Sequence, residues 1–590
     1  MAAGLPQDRS RRWGYRTDDL PRQALLAGDH SRGLLVGDTV GEALERRERN
    51  KGDKTRRRCG KRCTAEALEP LAGRGKRATI IEEEPMPKFN RAAQIAAVVV
   101  AVFVSPCFAQ TDPGVRGGPA GAGSPVPGLS ANQLDMFNEG RFRATELEAT
   151  CDSCSDFIPG SPTGQDPLLQ TLTNSAGLGA RFNADQCTAC HSQPALGGSG
   201  GFLVPNPEAP PGQRRPPENP MFDLIPHRRG ETNQVPSFIA QYGPIREARF
   251  IRKPDGTPDG GVHQLFTVVG RRDDGTIPGC DASVLPQPDF ETEVRNHNIS
   301  FRIPLQMFGL GLIDTIQDIE ILSHHDATEA LRAHLGIGGI PNRSANDGTI
   351  TRFGWKAQNK SLTMFSGEAY NVEMGVTNEL FPQAVEELPA CNGPNKNHPN
   401  DLTRTDSDDS RNQGFNNPLH ELADWMQFTL FMRFLNGPQP VAFNPLARRG
   451  QRLFGTDVDH PGIGCFLCHT PAMQTAAATE IPALQNKPVN LFSDLLLHHM
   501  GPGLADRVTQ GLAQGDMFRT TPLWGVGQRI FFLHDGRTDD LVQAILAHDS
   551  SDGDVGTGAF PPSEAKGVID AFRSLSPSDE QAILDFLRAL

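Results

Sequence analysis

The sequence predicts a mainly α protein with long irregular loops, and three observations carry that prediction. Apolar residues recur at helical spacing in the segments 444–455 and 576–590, near the end of the chain. Gly 61 and Pro 48 among 590 residues supply chain for extended loops between helices. A make-up of 37% hydrophobic and 22% charged residues is globular, which excludes a multi-span membrane protein and a wholly disordered chain. At about 150 residues per domain the length predicts three to four domains. Eleven cysteines are too few for a disulfide scaffold of this size.

Residues 1–85 read as a basic extension outside the functional protein, with 19 Lys/Arg against 14 Asp/Glu and little apolar periodicity. Residues 86–109 then read as a signal peptide: Lys88 and Arg91, an apolar run from Ala92 to Val104, and small residues closing on Ala109. The run is too short for a bilayer, which needs about 20 residues. Met86 is therefore the expected start, the mature protein is expected in the periplasm, and no integral membrane segment is expected after signal removal. Of the formal charge of −13, residues from Gln110 onward carry −20, which argues against nucleic acid as a partner.

The chemistry lies in Cys187-Thr188-Ala189-Cys190-His191 and Cys465-Phe466-Leu467-Cys468-His469, both C-x-x-C-H. Two thiols three positions apart on a turn can add to the two vinyl groups of one porphyrin, and the next residue places an imidazole under the iron. A single chance match at this composition has a probability of about 0.006. Zinc would need a fourth ligand, and neither motif has a second Cys or His pair at the usual spacing. Two covalently bound haem c groups are thus expected, held by Cys187, Cys190, Cys465 and Cys468, with His191 and His469 as iron ligands.

The order helix, C-x-x-C-H, long loop, terminal helix describes a cytochrome c-like domain. Asn444 to Gly455 is the entry helix. Ser576 caps a last helix that has Pro577 at its first position and Ala582, Ile583, Phe586, Leu587 and Leu590 on one face. The predicted organisation is a segment 110–165, a first haem domain 166–440 and a second 441–590, with a helix from His420 to Leu435 before the junction. Cys151-Asp152-Ser153-Cys154 lacks the histidine and reads as a static disulfide or a redox dithiol. Cys280 and Cys391 complete the cysteines after residue 110, their pairing open.

The segment from His534-Asp535-Gly536 through Leu541 to His548 resembles the C-terminal domain of bacterial dihaem cytochrome c peroxidases. Those enzymes have an H-D-G turn, a Leu seven positions later and an axial ligand fourteen later. A closer resemblance is to the dihaem oxidoreductase family, described as peroxidases or as thiol oxidoreductases. It is carried by Arg302-Ile303-Pro304, Phe308 to Ile313, Arg352 to Gln358, Met374 to Thr377, Asp494 to Asp506, Phe518 to Trp524 and Leu533 to His548. The resemblance implies that His469 and His548 bind the second iron from opposite sides, with Met500 as the alternative ligand, and that this low-spin haem stores and passes electrons. It also implies an open haem at His191 that reduces peroxide, Glu247, Glu368 or Glu373 as the acid/base group, and Trp355 as a bridge for electrons. A small redox protein as donor and a small-molecule oxidant are the expected partners. His548 stands where the peroxidases carry methionine, which lowers the expected potential of that haem. Candidate distal groups at the first haem are His227, His263, His297 and His324 or His325. Two other readings remain: a non-catalytic electron-transfer dihaem cytochrome, and an oxidoreductase acting on thiols or another organic substrate through Cys151 and Cys154.

Overall fold

The computed structural model describes residues 110–146, 148, 178–179, 181–200, 219, 221, 233–267, 286–383, 422–550 and 560–590. The chain divides into two units, Met1–Ile95 and Ala96–Leu590, and every described residue lies in the second. The basic extension, the signal segment, Cys151, Cys154, His227, Cys280 and Cys391 lie outside the described residues. Helices dominate and the strands are two to four residues long. Among the described residues no helix is long and apolar enough to cross a membrane.

Local chemistry places the helices. Helix α1 (Ala131–Thr145) begins at Ser130, whose side chain accepts from Gln133 N while the Gln133 side chain answers the Ser130 N–H, a capping box. Helix α2 (Cys187–Cys190) is a single turn carrying the first motif. Helix α3 (Leu362–Met374) is capped by Ser361 and stopped by Gly375 in the left-handed region. Helix α4 (Asp424–Phe434) lies within the predicted His420–Leu435 helix and buries Trp425, Phe428 and Phe431. Helix α5 (Pro445–Phe454) starts at Asn444, which accepts from Ala447 N. Helix α6 (Leu541–Leu546) is held by Asp540, which accepts from Val542 and Gln543 N, and His548 follows its last turn. Helix α7 (Pro577–Ala589) starts on Ser576 with Pro577 at the first position, and the predicted apolar stripe is buried.

Two hydrophobic cores result. The first gathers Phe137, Phe182, Phe266, Phe308 and Phe431, with Cys187 and Cys190 packed against it. It also draws in Met473, Leu484, Leu491, Leu495 and Trp524 from beyond residue 441. The second gathers Phe454, Phe466, Leu467, Phe492 and Phe586, with Cys465 and Cys468 against it. Each core rests on a close helix pair, α1 against α4 and α5 against α7. A glycine permits each approach. A Cβ on Gly140 would lie 2.3 Å from Gln427 O, and one on Gly450 would lie 1.9 Å from Ala582 O.

Two small antiparallel sheets complete the frame. Strand β1 (Glu247–Phe250) lies between β2 (Val262–His263) and β3 (Ile299–Arg302), with Glu247 opposite Arg302. Strand β4 (Leu497–His499) pairs with β5 (Met517–Arg519), with Leu497 opposite Arg519.

Candidate haem sites

Each cysteine–histidine motif opens onto its own cavity. The one at Cys465, Cys468 and His469 encloses about 240 Å³ and is lined chiefly by apolar side chains, including Phe454, Leu541 and Leu587. The one at Cys187, Cys190 and His191 encloses about 550 Å³. Gln306, Trp355 and Arg519 line both, so these three side chains form the wall between the cavities. All four cysteines are unbridged, and burial pushes their thiols upward, Cys187 and Cys465 to about 12. Such thiols are un-ionised at neutral pH and poor nucleophiles as free dithiols.

The expected iron ligands share one arrangement. His191 Nδ1 lies 3.1 Å from Gly198 O, His469 Nδ1 3.1 Å from Phe492 O, and His548 Nδ1 2.8 Å from Ala544 O. A carbonyl only accepts, so each proton sits on Nδ1 and each Nε2 keeps its lone pair for a metal. Burial lowers all three below the ordinary imidazole value and keeps them neutral, as ligation requires. His469 is drawn down to about 4, first by burial and next by His548. His548 and His469 line the same cavity, which brings together two residues 79 positions apart in sequence. Met500 lines that cavity as well. The paired thiols, the bare Nε2 atoms and the two cavities fit a pair of haems.

The remaining histidines sort differently. His498 is buried between Asp494 (Nε2 to Oδ2 2.9 Å) and Glu564 (Nδ1 to Oε2 2.7 Å), with Cys468 Sγ 3.7 Å from Nδ1. Although burial opposes it, Cys468 and then Asp494 raise its pKa well above normal, and both of its ring nitrogens are engaged. His534 stacks on Phe518 at 4.4 Å and meets Trp355 edge-on at 6.3 Å. His263 pairs with Asp259 at 3.1 Å and stacks on Phe250. His297 sits in a turn with φ 54°, and His324 and His325 lie on the helix Asp318–Ala327. None of these last four lines the first cavity, whose only histidine among the described residues is His191.

Glu247, Glu368 and Glu373 all reach the first cavity. Glu247 is delivered by β1 and Glu373 by the end of α3, and their carboxyl groups are hydrogen bonded to each other. Arg249 Nε lies 2.6 Å from Glu247 Oε1, and Asn183 Nδ2 donates to Glu373 Oε2 at 2.7 Å. Two carboxyl groups in hydrogen-bond contact hold one proton between them. Burial and the Glu247 charge raise Glu373 above the usual carboxyl range, while Arg249 and Arg302 overcome the desolvation of Glu247 and lower it. The proton therefore rests on Glu373. Glu368 instead accepts from Asn359 Nδ2.

Behind this pair lies a charged cluster. Arg302 Nη2 meets Asp506 Oδ2 at 2.7 Å, and Lys356 Nζ meets Asp506 Oδ1 at 2.9 Å. Lys356 also donates to Gln514 O and Met517 O and lies 4.2 Å from the Phe518 ring centroid. Burial brings it down to about 8 despite Asp506. Trp355 donates Nε1–H to Ile303 O at 2.9 Å, which fixes its ring between the cavities.

Sequence reasoning missed the His498 clasp, the Asp506 cluster and the two cavity-lining arginines Arg519 and Arg529. The local signal for the first was Asp494 four positions before His498. The others join positions separated by 150 residues or more, or have no ion-pair partner among the described residues.

No curated protein matches the chain. Among solved structures, a hydrazine synthase of Kuenenia stuttgartiensis pressurised with 20 bar xenon is 17% identical, with a TM-score of 0.18. The match covers 30% of this chain and 60% of that one. The model of one protein family, described as "Di-haem oxidoreductase, putative peroxidase", matches residues 265–589, more than half of the sequence. The stretches that carried the resemblance from Arg302 to His548 fall inside that match, and so do the wall residues Gln306, Trp355 and Arg519. The chain belongs to the di-haem oxidoreductase family.

Proposed function

We propose that this chain is a periplasmic dihaem c-type peroxidase. Its haems are joined through thioethers to Cys187 and Cys190 and to Cys465 and Cys468, and it draws electrons from a small redox protein. The observation that carries the reading is an asymmetry between two otherwise similar cavities. The second is lined by two neutral histidines with free Nε2 atoms, His469 and His548; the first has, among the described residues, His191 with no second histidine, and has the protonated Glu373–Glu247 pair instead.

When bound, the haems supply the iron that takes the oxidant and the redox couple that delivers electrons. The overall change is H2O2 + 2 e− + 2 H+ → 2 H2O. His191, His469 and His548 would hold iron through Nε2 while their carbonyl partners fix ring orientation. Glu373 would supply a proton to the leaving oxygen of the peroxide, and Glu247, held ionised by Arg249, would accept one from its other oxygen. Trp355, fixed by its bond to Ile303 O, is the aromatic path through the shared wall. The apolar lining of the second cavity keeps water from its iron ligands.

A second reading has its own observation. Met221, Met307, Met374 and Met432 line the first cavity, and a thioether from one of them would close the sixth position. That protein would be an electron carrier. Electron paramagnetic resonance on protein matured with covalent haem separates the two. One high-spin and one low-spin ferric signal, at rest or after half-reduction, with peroxide consumption, is expected. Two low-spin signals in both states and no peroxide turnover would leave the electron carrier.

A further inference from the structure

Two arginines that form no ion pair among the described residues, Arg519 and Arg529, line the second cavity. Arg529 donates Nε–H to Phe531 O at 2.9 Å, but its Nη2 is buried without any hydrogen-bond partner. Its guanidinium carbon lies 5.9 Å from the Trp355 ring centroid. Arg519 is 5% exposed, donates Nε–H to Gly354 O at 3.0 Å, and stands in the wall shared with the first cavity. Neither arginine forms an ion pair among the described residues. Burial lowers both to about 10, with only Asp494 opposing this at Arg519. Glu564 is the one acid lining the cavity, and it is already taken by His498 Nδ1 and by Gly338 N at 2.9 Å. Burying a cation unpaired costs several kcal/mol, so two such guanidiniums lining one cavity call for an anionic occupant.

We infer that Arg519 and Arg529 are the anchors for the two propionate groups of the His469/His548 haem. This rests on the reading that the cavity is a haem pocket. The match is in number and chemistry: two carboxylates on one edge of a flat apolar ring, against two planar guanidiniums lining a chiefly apolar cavity. Arg529 Nη2 is the donor left open for one of them. The placement puts the charged edge of the haem at Trp355, beside the first cavity, and its apolar body among Phe454, Leu541 and Leu587. The arginines would therefore hold the ring in register with the wall and raise the haem potential, since cations near the iron disfavour the more positive oxidised state.

The test is a spectroelectrochemical titration of the dihaem protein carrying Arg519→Gln, Arg529→Gln or Arg529→Lys. Each Gln variant is expected to keep both haems and the low-spin spectrum of the second. Each should shift the oxidised-to-reduced ratio of that haem about tenfold toward oxidised at the wild-type midpoint, which is 59 mV for one electron. The Lys variant should keep most of the potential and shift the propionate bending bands in the resonance Raman spectrum. That second signature remains readable if a Gln variant fails to fold. Two haems with unmoved midpoints and unmoved propionate bands would overturn the assignment while leaving the haem reading intact. A wild-type midpoint that follows chloride or phosphate concentration would assign the arginines to a small anion and overturn it too. Wild-type protein with a single haem would remove the reading beneath it.

Discussion

The two haem sites share a skeleton and differ in what faces it. Each has a C-x-x-C-H turn, whose histidine has its Nδ1 tied to a carbonyl, and a pair of helices that meet at a glycine. The second site completes its cavity with another neutral histidine and apolar walls. The first has a cavity of about 550 Å³ against about 240 Å³, a hydrogen-bonded carboxyl pair and arginines on the adjoining strands. The difference teaches that division of labour does not require two scaffolds. What separates a site suited to chemistry from one suited to electron storage is the few side chains on the side away from the motif. Substitutions that exchange or erase those side chains are the direct way to break the comparison.

The largest effect is expected from erasing one site. Cys465→Ser with Cys468→Ser should halve the covalent haem per chain and leave the His191 haem unable to turn over peroxide with an external donor. Haem content measured against protein mass, with turnover on the same sample, decides it; two covalent haems in the double variant would end the assignment of Cys465 and Cys468.

Next comes the acid of the first site. Glu373→Gln should lower peroxide turnover by about 10²–10⁴-fold, the usual weight of a positioned proton donor, with both haem spectra unchanged. The pH profile sharpens this. Glu373 is raised in the folded protein, so its acid form is complete at low pH and is lost as pH rises through the raised value. Wild-type activity should fall on the alkaline side, and the residual activity of Glu373→Gln should lack that limb. An alkaline limb that persists unchanged in the variant would assign it to another group.

How much of this was legible in the sequence follows from how local each feature is. Asn444 and Ser576 cap their helices within three residues, so both helices could be placed from the chain alone. The two motifs are contiguous, and the place of His548 beside His469 was reachable because the H-D-G turn, helix α6 and His548 follow one another without a break in sequence. The contact of Glu247 with Glu373 was not, since a strand and a helix 126 positions apart in sequence make it. Three glutamates stood equal in sequence, and only burial and hydrogen bonding set Glu247 and Glu373 apart from Glu368. That Arg529 has no ion pair among the described residues is a statement about everything around it, and no window of sequence contains that.

The second site can be turned toward the peroxidase pattern. His548→Met should keep the second haem low-spin and raise its midpoint, because a thioether favours reduced iron, whereas His548→Ala should create a second high-spin signal. Met500→Leu should leave spin state and potential alone. If Met500→Leu produces the high-spin signal and His548→Ala does not, the ligand on the far side of His469 is the thioether.

The smallest effect probes the shared skeleton. Gly140→Ala and Gly450→Ala each push a methyl group into a backbone carbonyl of the partner helix, Gln427 O and Ala582 O respectively. Overpacking of this kind costs about 1–3 kcal/mol, less whatever the helix gains from replacing glycine by alanine. The two helix pairs lie under different cores, so the damage should be separate: Gly140→Ala should loosen the haem at His191 first, and Gly450→Ala the haem at His469. Thermal melts followed in the absorption bands of the high-spin and low-spin haems would show it, each variant lowering one transition more than the other. Equal loss at both haems from either glycine would mean that the cores melt as a unit. That outcome fits Met473, Leu491 and Trp524 packing into the first core from beyond residue 441. The independence of the two sites would then be chemical, set by what faces each iron, and not a matter of separate folding.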